Sequence, residues 1–291
     1  MKINMDGILI VNKTKGCTSH DIVYQVKKIV NKKVGHTGTL DPMATGVLPL
    51  LIGKGTLCSK YLINHDKVYR VKLQLGQKTD TLDSEGIIIE ERQVTDDMIE
   101  KEKIEEALKN TTGKQEQIPP MYSAIKVKGK KLYEYARKGE KIERKPRKIE
   151  IYNMELIKID KKKRQIEFKV NCCKGTYIRS LCEDIASKLN TVGYMCELER
   201  LQVGKFNIAD SITLEELEEN KEMIHSKMIP IEELFKNDKN IELDDKKLTL
   251  FLNGVQLSRK EKDGVYKIYN KNKFIGIGCI EKQLLKRDII I

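Results

Sequence analysis

The sequence predicts a mixed fold of α-helices and β-strands, because hydrophobic residues follow two different periods in turn along the chain. His20 to Lys33 repeats its apolar residues at helical spacing, with Thr18 or Ser19 available as the N-cap. Val68 to Leu75 instead alternates apolar and polar side chains, as a half-buried strand does. We find no internal repeat of fixed length, so a solenoid or propeller is not expected.

The middle of the chain continues this alternation. Met98 to Leu108 is predicted to be a second helix, entered through polar residues and stopped before Gly113. Ile166 to Cys172 alternates as a strand, and helical spacing resumes after Gly175. A strand-turn-helix joint is therefore expected at Thr176 to Arg179, a type of joint that often carries functional side chains.

The last part of the chain differs in composition. Asn237 to Asn240 is a polar, linker-like stretch, and the residues after it read as short strands with turns at Asn253-Gly254 and Asp263-Gly264. This change predicts two domains, residues 1–236 and residues 237–291.

Composition limits the class of protein. The 291 residues carry 55 Lys and Arg against 43 Asp and Glu, a net charge of +12, so a polyanion is the first partner to consider. The 40% hydrophobic fraction and charges of both signs exclude disorder for most of the chain. No apolar run approaches the roughly 20 residues that span a bilayer. Met1 to Asp6 lacks the features of a secretory signal, and the seven cysteines lack paired spacing. We expect a soluble cytoplasmic protein without membrane contact.

Familiar cofactor motifs are missing from the sequence. Gly46 and Gly53 are too far apart for a phosphate-binding P-loop, and Gly55 follows Lys54 where serine or threonine is needed. The cysteines form no Cys-x-x-Cys pair, and the four histidines are dispersed. We expect no metal and no nucleotide cofactor.

A strongly basic segment runs from Lys126 to Lys148. It holds 11 Lys and Arg against 3 Glu, a net charge of 11 minus 3 or +8, with Tyr133 and Tyr135 interleaved. Such a segment is either a solvated surface hairpin or an RNA contact, and the basic composition of the whole chain favours RNA. Four lysines are the candidate phosphate contacts: Lys126, Lys128, Lys130 and Lys131.

Gly35 to Gly46 is the most informative segment. Three glycines and Pro42 within it predict an irregular, tightly set loop that holds a single carboxylate, Asp41. This aspartate either caps backbone N–H groups in a turn or performs chemistry, and spacing alone leaves both interpretations open.

The same loop resembles the catalytic loop of the tRNA pseudouridine-55 synthases, the TruB family. Four further segments match that family in order: Asp6 to Lys13, Tyr69-Arg70-Val71 with Leu75 to Thr81, Ile118 to Ala124, and Lys174 to Leu181. The resemblance covers roughly residues 5–235. Two positions depart from the family pattern, Thr14 in place of proline and Glu199 in place of arginine, and Glu199 is expected to weaken a local phosphate contact.

The resemblance implies a fold and a reaction. The fold is α+β, with a mixed, mainly antiparallel sheet in a catalytic domain of pseudouridine synthase type. A small β-rich, PUA-like domain follows at Ile241 to Ile291 and either contacts the acceptor region of tRNA or stabilises the fold. The reaction is isomerisation of a T-loop uridine, U55, to pseudouridine after base flipping. It consumes no second reactant and needs no cofactor.

The resemblance also implies roles for individual residues. Asp41 is the nucleophile, ionised at neutral pH if its pKa is the ordinary one near 3.9. Arg179 pairs with this carboxylate through both fork nitrogens, and Tyr69 stacks on the target uracil. The remaining positions are the uracil-pocket residues Tyr177 and Leu198, His36 against flipped-out bases, Lys13 as a support of the loop, and Gly113 to Lys148 as the insertion that grips the T-stem-loop.

Two other functions remain in view. A guide-dependent rRNA pseudouridine synthase shares the catalytic core but carries a longer C-terminal domain and needs partner proteins. A tRNA-folding chaperone would use the grip on tRNA without catalysis. The short C-terminus favours a stand-alone enzyme that requires no protein partner.

Overall fold

The structure is a computed structural model that describes residues 5–140 and 142–291. The first half contains these elements: β1 Gly7–Lys13, α1 Ser19–Val30, β2 Val34–His36, β3 Thr45–Ile52, α2 Ser59–Leu62, β4 Lys67–Leu75, β5 Gln77–Thr79, β6 Ile88–Glu91, α3 Lys101–Lys109, β7 Gly113–Gln117, β8 Lys126–Val127, β9 Lys130–Lys131 and α4 Leu132–Ala136. The second half contains β10 Arg147–Asp160, β11 Gln165–Cys172, α5 Ile178–Lys188, β12 Gly193–Val203, β13 Phe206–Asn207, α6 Leu214–Glu219, α7 Met223–Lys227, β14 Ile229–Pro230, α8 Ile231–Leu234, β15 Lys239–Glu242, α9 Asp245–Leu252, β16 Leu257–Ser258, β17 Gly264–Asn270, β18 Lys273–Glu281 and β19 Leu284–Ile290.

The larger sheet forms the body of the molecule. Its strand order is β14-β1-β3-β12-β4-β11-β10-β7, with β2 added beside β3 and β13 beside β12. Neighbouring strands are antiparallel except β3 and β12, which are parallel. A smaller sheet, β15-β17-β18-β19-β16, forms the C-terminal domain. The predicted α+β class, with a mainly antiparallel sheet and a β-rich C-terminal domain, is confirmed.

Helix α1 begins where predicted and ends earlier. Thr18 is the N-cap, and it forms a capping box with Asp21. Asn31 adopts a left-handed conformation with φ of 48° and donates its backbone N–H to the carbonyl of Lys27, which closes the helix. The prediction that this helix continues to Lys33 is wrong, because the left-handed Asn31 ends the helix at Val30, the last residue of the apolar face.

The helix predicted at Met98 to Leu108 is interrupted near its start. Asp97–Ile99 forms a short 3₁₀ turn, and α3 begins at Lys101 after Glu100 takes an extended conformation. Ile99 and Ile104 are both buried, so the predicted apolar face is present although the first turn is not α-helical.

The C-terminal domain differs most from its prediction. Residues Asp245–Leu252 form a helix, begun by the Asp244 side chain accepting from the backbone of Lys247. The turns that connect the main strands are not the predicted ones. They are two-residue hairpins with positive φ at both positions, Lys271-Asn272 and Lys282-Gln283. Asn253-Gly254 instead follows the helix, and Asp263-Gly264 leads into β17.

The two sheets share an apolar interface. Ile277 and Ile289 of the small sheet pack in one cluster with Ile8 and Val203 of the large sheet. The Asp288 carboxylate accepts from the Lys60 ammonium and the Tyr61 hydroxyl across this interface. The C-terminal domain is therefore joined to the region that leads into β4. No helix in the described ranges is long and apolar enough to cross a membrane.

Gly46 lies at the contact between β3 and β12, where the two backbones approach closely. Its φ is 103°, and a Cβ there would lie 2.3 Å from the Arg200 carbonyl oxygen. Gly113 has a similar φ of 106° with nothing within 4 Å of its Cβ position. We expect Gly46→Ala to lower the free energy of unfolding by more than about 3 kcal/mol, against about 1 kcal/mol for Gly113→Ala, because only Gly46→Ala adds a backbone clash to the strain. Urea denaturation measures both, and equal losses would contradict this view of the β3–β12 contact.

Candidate active site

The loop that carries Asp41 is held by buried side chains from outside it. Lys13 is fully buried, and its ammonium donates to the carbonyl oxygens of Pro42 at 3.1 Å and Ala44 at 2.6 Å. Ser19 binds both backbone groups of Leu40, and its hydroxyl accepts from the Leu40 N–H at 2.9 Å. The side chain of Asp41 is thus presented from a backbone with several fixed points.

Arg200 holds the same loop from the other side. Its guanidinium is 1% exposed and donates to the carbonyl oxygens of Gly38 at 2.8 Å and Val47 at 2.7 Å. Arg200 lies on β12 directly opposite Tyr69 of β4. The backbone of the loop that carries Asp41 and the strand that carries Tyr69 are therefore joined through one side chain.

Arg179 lies in the first turn of α5 and contacts Asp41 with two nitrogens. Nε is 3.1 Å from Oδ2 of Asp41, and Nη2 is 3.4 Å from its Oδ1. Nη2 also donates to the carbonyl of Tyr122 at 2.8 Å. The guanidinium is almost fully buried, with 7% of the side chain exposed, while 35% of the Asp41 side chain is exposed. The carboxylate is therefore the open member of a fixed pair.

Asp83 is a second carboxylate on the same arginine. Its Oδ2 lies 3.4 Å from Nη1 of Arg179, and its Oδ1 accepts from the Thr81 hydroxyl at 2.6 Å and from the Glu85 backbone N–H at 3.0 Å. Asp83 is 3% exposed, so it faces the arginine rather than solvent. Sequence reasoning did not single out Asp83, although it lies two residues after the matched Thr81.

Burial raises the pKa of Asp41 above its ordinary value. The Arg179 guanidinium acts against this rise in pKa, and the Asp83 carboxylate adds to it. The pKa of Asp41 therefore lies above the ordinary value near 3.9 that was assumed from the sequence. A carboxylate with a raised pKa is more basic and more nucleophilic when ionised, and it ionises at higher pH.

Asp41 opens into a small pocket of ≈ 120 Å³ with room for one planar ring. Tyr69, Tyr177, Arg179 and Leu198 line this pocket together with Asp41. Of the six residues predicted for catalysis and substrate binding, all but His36 therefore line this one pocket. Tyr177 is fixed at the helix start because Gln117 binds both its backbone N–H, at 2.8 Å, and its carbonyl, at 3.0 Å.

Tyr69 is buried beneath this pocket. Burial raises the pKa of its hydroxyl, and the nearby Arg200 guanidinium acts in the opposite direction. A phenol with a raised pKa stays protonated at neutral pH, so it can donate a hydrogen bond but is a poor base.

His36 lies at the end of β2 and not on the wall of the small pocket. Burial lowers the pKa of its imidazole, and Arg200 adds to this effect. Its Nδ1 is buried and has no hydrogen-bond partner among the described residues. The assignment of His36 to flipped-out bases stays a prediction.

The small pocket opens into a cleft of ≈ 740 Å³. Cationic side chains from several elements line this cleft, namely Lys67, Arg147, Lys148, Lys174, Arg179 and Arg200. The basic segment borders it through Tyr133, whose ring lies 5.3 Å from the Lys131 ammonium and 5.3 Å from the Arg137 guanidinium. The overall charge of the cleft suits a polyanion.

The four predicted RNA-binding lysines lie on the β8–β9 hairpin. Lys126 pairs with Lys131 in this hairpin, and Lys128 at the turn has a φ of 48°. Lys126, Lys128 and Lys130 are exposed, and none of the four lysines pairs with a carboxylate in the described chain. The exposed ammonium groups of Lys126, Lys128 and Lys130 can meet phosphates, whereas the Lys131 ammonium donates to the Tyr133 hydroxyl at 3.2 Å.

A metal site is not apparent. In residues 5–140 and 142–291, no three His, Cys, Asp or Glu side chains converge to hold an ion. The residues around Asp41 provide nucleophilic, cationic and aromatic groups, and the absence of a metal requirement stays a prediction.

A single carboxylate beside a ring-sized pocket, at the bottom of a basic cleft, is the arrangement of an enzyme that acts on one base of a nucleic acid. Comparison with known proteins specifies the family. The N-terminal domain of the TruB family pseudouridylate synthases matches residues 27–178. The C-terminal domain of tRNA pseudouridylate synthase B matches residues 179–236, and the C-terminal domain of pseudouridine synthase II TruB matches residues 240–286. The chain belongs to the TruB family and is a pseudouridine synthase, an isomerase.

Similar proteins cover nearly the whole chain. A tRNA pseudouridine synthase B of Clostridium kluyveri is 47% identical over 282 residues, 94% of this chain and 95% of the relative. A tRNA pseudouridine synthase B of Clostridium tetani is 45% identical over 97% of this chain and 98% of the relative. Among solved structures, a crystal structure of a Cbf5-Nop10-Gar1 complex contains a chain with 25% identity and a TM-score of 0.68, covering 99% of this chain and 84% of that one.

The charges around Asp41 lead to a prediction for the pH dependence of activity. The Asp83 carboxylate raises the pKa of Asp41, so Asp83→Asn should lower that pKa and move the acid limb of activity to lower pH. In both proteins, activity should fall as the pH falls through the pKa of Asp41, because protonation removes the charge of the carboxylate that we expect to be the nucleophile. Single-turnover rates from pH 4 to 8, roughly the range in which a carboxylate titrates, measure the midpoint.

Asp80→Asn is the matched control for this experiment. Asp80 lies on the same loop and accepts from the Ile87 backbone N–H, whereas the groups that shift the pKa of Asp41 are Arg179, Asp83 and Lys13. An acid limb that moves upward in Asp83→Asn, or moves equally in both variants, would contradict the proposed coupling.

Proposed function

We propose that this enzyme isomerises the T-loop uridine U55 of tRNA to pseudouridine, with Asp41 as the nucleophile. The observation that supports this most directly is the Asp41 carboxylate, held by two nitrogens of Arg179 and left open toward a ring-sized pocket. The curated relatives with 42% to 47% identity are named tRNA pseudouridine synthase B, which supports tRNA as the substrate.

The chemistry balances within the substrate. The C1′–N1 bond breaks, its electron pair leaves with the uracil, and the ring turns so that C5 faces C1′. A C1′–C5 bond then forms, the C5 proton is lost, and N1 gains a proton. Asp41 assists by attacking C1′ or C6 or by facing the sugar cation, and no external oxidant, reductant or second substrate is consumed.

Arg179 keeps the nucleophile in place throughout. Its nitrogens bind Asp41, Asp83 and the Tyr122 carbonyl together, so the fork cannot rotate away when substrate enters. Tyr69 provides a ring face for the uracil and a protonated hydroxyl that can donate to a carbonyl oxygen. Tyr177 and Leu198 complete the wall around the base.

The target base must leave its stack to reach Asp41, at a free-energy cost of a few kcal/mol. The cationic cleft and the basic hairpin can offset this cost through phosphate contacts. We propose that the chain acts without a protein partner and, since tRNA is its substrate, in the cytoplasm.

Asp41→Asn tests the nucleophile. Pseudouridine formation should fall by at least about a thousandfold because the amide cannot attack, while tRNA affinity should stay within about threefold because the phosphate contacts remain. Base-resolved mapping of pseudouridine and a binding titration measure the two quantities. Asp80→Asn should retain activity, and comparable turnover by Asp41→Asn would remove Asp41 from its role.

The basic hairpin is tested through the salt dependence of binding. Replacing Lys126, Lys128, Lys130 and Lys131 with alanine should weaken tRNA binding and reduce the slope of log affinity against log salt by more than about one unit, because each lost phosphate contact removes about 0.7 to 0.9. Activity at saturating tRNA should fall much less.

The control is a second set of four exposed lysines, at the β10–β11 hairpin: Lys158, Lys161, Lys162 and Lys163. The two variants carry the same change in net charge. Equal slopes for both variants would assign the β8–β9 hairpin to the solvated surface and place the RNA grip elsewhere.

A further inference from the structure

Two lysines on the wall of the cleft have only neutral partners. The Lys67 ammonium donates to the His65 carbonyl, and the Lys174 ammonium donates to the Asn64 side-chain carbonyl at 2.6 Å. Within the described ranges, neither ammonium has a carboxylate within salt-bridge distance. Because Asn64 and His65 are adjacent, one short loop fixes both cations.

The electrostatic environment of Lys67 is unfavourable without an added anion. The side chain is half-buried, and burial followed by the Arg200 guanidinium lowers its pKa. The nearby Asp66 carboxylate is directed instead to the Tyr152 hydroxyl, at 3.2 Å. A desolvated cation beside another cation is costly unless an opposite charge is supplied. The cleft therefore holds positive charge that the protein itself does not neutralise.

The position of the two lysines relates them to the target base. Lys67 precedes Tyr69 by two residues on β4, so the two share a face and their Cα atoms are about 6 to 7 Å apart. Lys174 precedes Tyr177 by three residues in the turn before α5. Both tyrosines line the ring-sized pocket, and both lysines lie with these tyrosines on the wall of the larger cleft. The nearest anion in a bound RNA would be a phosphate of the extruded nucleotide.

We propose that Lys67 and Lys174 form the binding site for a phosphodiester that flanks the target uridine. This inference rests on the proposed function, because it assumes that the ring-sized pocket receives an extruded uracil. The site holds the backbone of the extruded nucleotide while the base is cleaved and turned. It differs from the β8–β9 hairpin, whose four lysines do not line this cleft.

The test pairs lysine variants with RNA in which single phosphates carry no charge. The substrates are a T-arm stem-loop with normal linkages and two versions with a methylphosphonate 5′ or 3′ to the target uridine. On the normal stem-loop, Lys67→Ala and Lys174→Ala should each lower kcat/KM by about tenfold or more, as loss of a hydrogen bond to a charged group does. With the methylphosphonate at the contacted position, the same substitutions should cause little further loss.

Controls keep the outcome clear. Lys260→Ala removes an exposed charge away from the cleft and should lose the same small amount on all three RNAs. Lys67→Arg keeps the charge and should retain more activity than Lys67→Ala. Lys174 is exposed, so Lys174→Ala carries the test even if Lys67→Ala disturbs folding.

Equal losses on all three RNAs for both alanine variants would overturn the phosphate site. The same comparison of lysine variants and methylphosphonate RNAs can be made with dissociation constants, which need no turnover. Binding therefore tests the phosphate site independently of the proposed reaction. Coupled binding with no pseudouridine formed by the wild-type enzyme would overturn the proposed function and leave the phosphate site supported.

Discussion

The whole active site depends on buried cations that bind backbone carbonyls. The charges of Lys13 and Arg200 face the carbonyl oxygens of Pro42, Ala44, Gly38 and Val47. Such contacts fix the path of the backbone without neutralising the charge, so the loop is rigid and the surrounding potential stays positive. Rigidity places the Asp41 carboxylate beside Arg179, and the positive potential favours both the ionised carboxylate and a phosphate-rich substrate. One set of contacts therefore provides both position and electrostatic attraction.

The network around Arg179 balances opposing effects on the Asp41 carboxylate. Burial and the Asp83 charge raise its pKa, while Arg179 limits the rise. A lone aspartate next to an arginine would ionise readily and be a weak nucleophile. A lone buried aspartate would stay protonated. Because Arg179 also contacts the Asp83 carboxylate, it positions Asp41 without fully stabilising the negative charge of Asp41.

Local sequence signals predicted many of the helices and strands of the larger domain, and they failed in the C-terminal domain. The strands at Val68 and Ile166 followed from alternation, and of the two N-cap candidates, Thr18 and Ser19, the structure has Thr18. The α9 helix had a local signal as well, an aspartate N-cap at Asp244, but short apolar runs around it favoured strands. The C-terminal hairpins could not be read because Lys271 and Lys282 adopt left-handed conformations without glycine.

Some of the functional residues could be predicted from the sequence, and others could not. Resemblance to a family located Asp41, Tyr69, Arg179, Tyr177 and Leu198, which the fold brings to one pocket. Asp83 and Arg200 were missed because their importance lies in partners far along the chain, Arg179 and Gly38. A carboxylate after a threonine-rich turn and an arginine in a strand have no local pattern that distinguishes them from surface residues.

The contact of Asp288 with Lys60 and Tyr61 connects the C-terminal domain to the region beside the cleft. Those two residues belong to α2, and the loop that follows α2 carries Asn64 on the cleft wall. Helix α2 and the loop after it therefore connect the small sheet to the edge of the cleft. Removal of the small domain would take away both the Asp288 contact to α2 and the apolar packing of Ile277 and Ile289 against the large sheet.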